Sequence, residues 1–268
     1  MGTPTSETPT SEPPAFETLR VEYEGRVGRI TLDRPDKLNP LSTLCLEELA
    51  LAATWFDGQD EVRVVVVTGA GRAFSAGADL SAFSTGDAGI ARSGADAGRL
   101  MAEAIEGMQA VTIAAIHGHC VGGGVVLAGA CDFRIAAEST RFSIPEVDLG
   151  IPLAWGGIPR LVREIGPAAT RDLVMTCRPF TAREAHVRGF VTRMVDDERL
   201  VDEVEELAAP LAAKSSLTLR ATLIAVDAAA EALVSTRFAW SDADVLVNAM
   251  HDPESREVGA AYLRERGR

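Results

Sequence analysis

Two glycine-bearing turns and one acid are the residues of this chain whose types and order can do chemistry. The turns are Ser75-Ala76-Gly77-Ala78-Asp79 and Gly118-His119-Cys120-Val121-Gly122-Gly123-Gly124, and the acid is Glu146, in Ile144-Pro145-Glu146. Each turn follows a short apolar run and leads toward a helical pattern, so it leaves backbone N–H groups without partners where negative charge is favoured. Two donor sites beside one carboxylate suit the formation of an enolate, in which a base removes a proton next to a carbonyl and the donors hold the charge that moves onto oxygen. Neither turn fits G-x-x-x-x-G-K-[ST] or G-x-G-x-x-G. Taken singly, either reads equally well as glycines that permit close helix–strand packing.

Other residue groups point to less. His117 and His119 stand two apart with no third ligand nearby, so they read as packing or hydrogen-bonding residues, and no metal is expected. Cys45, Cys120, Cys131 and Cys177 are scattered without a C-x-x-C pair, which fits reduced thiols and a cytoplasmic protein. Asp79 reads as a cap for a helix after its turn. Asp148, two residues past Glu146, shares a side with it only if the backbone there is extended. Trp155, before Gly156-Gly157, either caps an acyl or aromatic group or belongs to the core.

These residues must be positioned by a large fold. The chain has 268 residues, 47% of them hydrophobic and only 5% aromatic, enough for one α/β domain with a helical extension. A net charge of −13 disfavours nucleic acid or an anionic membrane as the main partner. No apolar stretch reaches the roughly 18 residues of a membrane span, and no leader pattern opens the chain. Residues 1–15, rich in Thr, Ser, Pro and Glu, read as a disordered extension.

Alternation over 19–32 predicts a hairpin. Ser42 or Thr43 caps a predicted helix to about Trp55. Residues 62–68 and 111–116 read as strands buried on both faces, and 133–136 as a third. Residues 82–98, rich in Gly, Ala, Ser and Asp, read as a mobile loop or a poorly formed helix, and 100–108 as a helix. Helices follow at 158–165 and 168–176, a capping box at Thr181-Ala-Arg-Glu184, a brief strand at 189–195, and long helices over 198–214 and 217–237.

Taken together, the segments resemble the crotonase superfamily, the enoyl-CoA hydratase/isomerase family. The likeness rests on Arg72-Ala-Phe-Ser-Ala-Gly-Ala-Asp-Leu80, Gly118 to Gly124, Phe142-Ser-Ile-Pro-Glu-Val-Asp-Leu-Gly-Ile-Pro152 with Gly156-Gly157 and Arg160-Leu161, and earlier Arg34-Pro-Asp-Lys-Leu-Asn39. It runs from about Phe16 to the C-terminus. The resemblance implies an α/β fold, a spiral of ββα units over 16–200, with a C-terminal helical trimerisation region over 201–268. It implies homotrimers, singly or paired into hexamers, and an acyl-CoA thioester substrate, with coenzyme A part of the substrate and no separate cofactor.

By the same resemblance the backbone N–H groups of Ala76 and Gly123 form an oxyanion hole and Glu146 is the acid/base. Lys37, Leu38 and the backbone of Ala78, Asp79 and Leu80 meet the CoA moiety, and Tyr262 with Arg264 or Arg266 reaches a neighbouring subunit's CoA. One departure is informative. Hydratases of the family carry a second acid three residues after the oxyanion glycine, and here that position is Val126; the further acid of the dienoyl-CoA isomerases is replaced by Ala154. A single base favours double-bond isomerisation, with hydration or non-catalytic acyl-CoA binding as alternatives.

Overall fold

The computed structural model describes residues 12–79 and 88–265. Leu80, Arg266, most of the N-terminal extension and the first part of the expected 82–98 loop fall outside these residues.

The chain opens with the hairpin β1 (Leu19–Glu24) and β2 (Val27–Leu32), turned by Gly25 at φ +56°. Helix α1 (Thr43–Asp57) follows, its Ser42 side chain accepting from the Cys45 N–H. Strand β3 (Val64–Gly69) pairs parallel to β2. Val65 and Val67 point to one buried face and Val64 and Val66 to the other, the period of two that an apolar run needs when both sides of a sheet are covered.

Residues 88–98 are not a loop. Helix α2 (Ala88–Glu106) is continuous through them. Its small residues are what let it pack: Gly94 faces Thr43 of α1, and Gly98 lies against the Trp155 indole. Ala95, Met101, Ala102 and Ile105 are buried. Weak periodicity reflected closeness of packing, with tertiary burial overriding the low helix propensity of glycine and aspartate.

The rest of the core is built from β4 (Val111–Ile116), β5 (His119–Val121), α3 (Gly123–Gly129), β6 (Phe133–Ala137), β7 (Arg141–Ser143) and α4 (Gly157–Thr176), which kinks at Gly166-Pro167. Then come β8 (Phe180–Thr181), α5 (Ala182–Val187), β9 (Arg193–Val195), α6 (Leu200–Ala212), α7 (Ser216–Leu233), α8 (Asp242–His251) and α9 (Pro253–Glu265). The capping box is half formed. Thr181 accepts from the Glu184 N–H, but the Glu184 carboxylate turns to Arg178 and Arg188.

The first sheet has the order β1-β2-β3-β4-β6-β9, and a second has β5-β7-β8. Units of strand, strand and helix repeat: β4, β5 and α3, then β6, β7 and α4, each giving its first strand to one sheet and its second to the other. A segment around Ser75 plays the second-strand part after β3, bridging to Cys120. This matches the spiral of ββα units expected from the motifs. The opposite face of the first sheet is closed by α6, through Leu200, Val204, Leu207 and Ala208.

Candidate active site

The second sheet brings the motif residues together by register. Ser75 bridges Cys120, and Cys120 pairs with Phe142, so three chain segments cross side by side in parallel. Three or four residues later each passes the end of the sheet, at Ala78, Gly123 and Glu146. All three line one small cavity with Val126, Ile151, Pro152, Leu153, Ala154, Trp155 and Leu246. Residues more than twenty apart in sequence thus share a site because their strands share a row.

Backbone pairing decides which donors are free. In the first turn, Ala76 N–H donates to the Leu38 carbonyl at 2.8 Å, Gly77 N–H to Ser75 Oγ at 3.1 Å, and Asp79 N–H to the Leu41 carbonyl at 3.1 Å. The Leu41–Ala78 bridge is parallel, so the groups of Gly77 and Asp79 face Leu41 and those of Ala78 face the other way, toward the cavity. The expectation for Ala76 is therefore corrected. Its N–H is engaged within the loop, and the free donor is two residues on. In the second turn, Gly122 N–H donates to the Ser143 carbonyl at 2.9 Å, while Gly123, first residue of α3, has no carbonyl behind it to bond.

Glu146 sits on the rigid exit of β7, after the fully buried Ile144. Its carbonyl accepts from Ile151 N–H at 2.9 Å, closing the turn that follows. The carboxylate takes a hydrogen bond from its own backbone N–H, while Oε2 is shielded from solvent and has no hydrogen-bond partner among the described residues. Burial in this apolar wall raises its pKa from 4.5 to about 7, the backbone bond drawing it partly back. A buried carboxylate left half-satisfied and titrating near neutrality has the properties of a general base.

Two glycines are required here by shape. Gly122 has φ +49°, and a Cβ on it would lie 2.3 Å from Glu146 Oε1. A Cβ on Gly123 would lie 2.2 Å from Trp155 Cζ3.

The other expected residues are distributed as follows. Val126 is buried on the cavity wall, so the position of a second acid is apolar. Trp155 is both core and wall. Asp148 is exposed and off the wall, its N–H donating to Cys177 Sγ. Asp79 lies 3.8 Å from Arg34, and the residues that follow it, where its capping role was expected, lie outside the described residues. Lys37 is exposed on the short helical turn Pro35–Lys37. Leu38, at φ +63°, donates its N–H to Pro35 and accepts from Ala76 through its carbonyl, so its N–H is unavailable to a ligand. His119 is exposed, and its neighbour Cys120 is a buried thiol whose pKa burial pushes well up, unsuited to nucleophilic work. Among the described residues no cluster could hold a metal ion.

Sequence reasoning missed Asn39 as the residue that holds the first turn in place. It is buried at φ +54°, a conformation that asparagine tolerates better than most. Its Nδ2 donates to the carbonyls of Ala70 and Ala73 at 2.9 and 2.8 Å, and its Oδ1 accepts from Arg34 N–H at 3.0 Å. The signal was an asparagine ending a Pro-Asp-Lys-Leu turn. Asn39→Ala leaves these backbone groups unpaired, and we expect a loss of roughly 3 kcal/mol in urea unfolding. A loss below about 1 kcal/mol would mean that water replaces the amide.

Comparison with known proteins agrees with the motifs. A family model described as enoyl-CoA hydratase/isomerase matches residues 22–268. A probable enoyl-CoA hydratase of Mycobacterium tuberculosis is 35% identical over 254 residues, covering 94% of this chain and 96% of the relative. A crotonyl-CoA hydratase of Syntrophomonas wolfei is 32% identical, covering 94% and 97%. The crystal structure of an enoyl-CoA hydratase/isomerase from Xanthobacter autotrophicus superposes with a TM-score of 0.86 at 26% identity, covering 94% of this chain and 95% of that one.

Proposed function

The chain belongs to the enoyl-CoA hydratase/isomerase family and is an acyl-CoA enzyme of that type, and from that premise we propose that it moves the double bond of an enoyl-CoA with Glu146 as its one acid/base. The carrying observation is the cavity wall. Among the described residues on it, Glu146 is the only ionisable side chain, and the place of a second acid is held by Val126. In this reading the thioester oxygen of a 3-enoyl-CoA lies between the N–H groups of Ala78 and Gly123. The Glu146 carboxylate takes a proton from C2, and the C–H electrons pass into a dienolate whose charge the two donors hold. The Glu146 carboxylic acid, whose proton exchanges with solvent, then delivers a proton to C4, giving the 2-enoyl-CoA and restoring the carboxylate. Each donor contributes about 3 kcal/mol of transition-state stabilisation.

Hydration is the second reading, and the names of the relatives favour it. It requires one carboxylate to hold water as well as to transfer its proton. The two are separated by incubation with 3-enoyl-CoA and 2-enoyl-CoA in D₂O, following formation or loss of conjugated enoyl absorbance and entry of deuterium. Isomerisation at about 1 s⁻¹ or faster with little hydration supports the proposal. Hydration at that rate, abolished by Glu146→Gln, overturns it.

Val126→Glu supplies the missing acid and sharpens the contrast. It is expected to raise hydration of 2-enoyl-CoA about tenfold. Two carboxylates on one apolar wall also resist ionising together, so the apparent pKa of the activity profile should rise. An unchanged hydration rate would show that the second acid is not what limits it.

Lys37, exposed on its short helical turn, is assigned here to the CoA moiety, which is part of the substrate. A homotrimer, alone or paired into a hexamer, belongs to the same reading. Helix α7 supports it, because Leu217, Ile224, Val226 and Leu233 are exposed in the single chain. Light scattering should give three or six chains of 28.4 kDa, and a monomer would refute it. Free, buried cysteines support a cytoplasmic setting, and among the described residues no helix is long and apolar enough to cross a membrane.

A further inference from the structure

Trp155 is held in a conformation that a bulky residue seldom adopts. Its φ is +62°, in the left-handed region, where a tryptophan persists only if its surroundings over-determine it. They do. Buried Arg160 donates through Nη1 to the carbonyls of both Trp155 and Gly156, at 3.2 Å each, and is itself paired with Glu106. Gly156 N–H donates to Asp242 Oδ2 at 2.8 Å, tying the same turn to the start of α8.

The indole so placed needs two slots in the backbone. A Cβ on Gly98 of α2 would lie 2.1 Å from Trp155 Cε2, and one on Gly123 would lie 2.2 Å from Cζ3. The ring therefore spans from α2 to a backbone donor of the site. The small cavity beside it is lined further by Ile151 and Leu246. An aromatic wall that close to the thioester position ends the pocket soon after the reacting carbons.

We infer that Trp155 is the residue that limits acyl length, making this chain specific for short acyl-CoA thioesters of about the size of a butyryl or crotonyl group. The inference rests on the acyl-CoA site proposed above, but not on which reaction occurs there. Gly98 and Gly123 are its counterparts, small because the indole occupies their side-chain space.

The test uses binding of saturated thioesters, which do not react, so that specificity is read apart from chemistry. Butyryl-CoA and octanoyl-CoA are titrated calorimetrically into the full-length protein, into Trp155→Gly, which keeps the left-handed turn unstrained, and into Trp155→Phe, which keeps most of the core filled. The native protein should prefer butyryl-CoA by about tenfold or more. Trp155→Gly should bring that ratio to about one, mainly by tightening octanoyl-CoA, and Trp155→Phe should fall between. If Trp155→Gly does not fold, the phenylalanine variant carries the comparison. A native preference for octanoyl-CoA, or the same ratio in all folded variants, would overturn the inference while leaving the acyl-CoA site intact. Binding of neither thioester to the native protein would overturn the site itself and the inference with it.

Discussion

Glu146→Gln is expected to lower kcat about 1,000-fold or more while stabilising the fold at pH 8. The rate loss follows from removing the one proton-transfer group that the described residues place on the cavity wall. The stability gain follows from linkage. Glu146 has a native pKa of about 7 against 4.5 in the unfolded chain. Below about pH 4 both states hold the proton, and the residue costs nothing. As the pH rises from 4.5, the unfolded chain ionises first, and the native state is penalised increasingly until about pH 7, above which the penalty is constant at roughly 3 kcal/mol. Glutamine never ionises. Its advantage over glutamate should therefore be larger at pH 8 than at pH 4 by about that amount, read from urea unfolding at the two pH values. The native enzyme's kcat/KM should rise with pH about a midpoint near 7. A stability difference independent of pH would mean that Glu146 is solvated, and would remove the physical basis for its role as base.

Gly122→Ala should be the most damaging change that alters no chemical group. The position has φ +49° and ψ −112°, which costs an alanine on the order of 1–3 kcal/mol in strain. The added methyl would also stand 2.3 Å from Glu146 Oε1. The carboxylate must move, or the turn that presents Gly123 must. Either displacement is expected to cost about 100-fold in kcat, since misplacing a reacting group by an ångström has effects of that order. Gly25→Ala separates strain from collision. Gly25 has a similar φ of +56°, but nothing lies within 4 Å of an added Cβ there. The hairpin variant should lose stability with kcat preserved. Equal kcat losses in the two would show that general destabilisation, not the contact with Glu146, is responsible.

Much of this site could be read from the order of residue types. Apolar runs with β-branched residues are strands wherever they are buried on both faces, so β3 and β4 were legible, as were α1 with its serine cap and the break at Gly166-Pro167. Glu146 was legible through the family resemblance of the segment that holds it, residues 142–152. The absence of a second acid was legible too, as it is simply the identity of residue 126. The first half of helix α2, residues 88–98, was not, because its glycine and alanine face is helical only against α1 and Trp155.

What the sequence by itself determined was the family and the places of Glu146 and the two glycine turns in its motifs. Which N–H in the first turn is free was decided by tertiary structure alone. Ala76 and Ala78 are the same residue type two positions apart, and only the pairing with Leu38 and Leu41, from a distant loop, occupies one and leaves the other facing the cavity. The same holds for Glu146 and Trp155. A glutamate's pKa and a tryptophan's role are set by what surrounds them, and those surroundings come from strands and helices far away in the chain. Local sequence specifies which groups exist and where the backbone can turn. Packing decides which of them are left unpaired, and unpaired groups in an apolar wall are the ones able to act on a substrate.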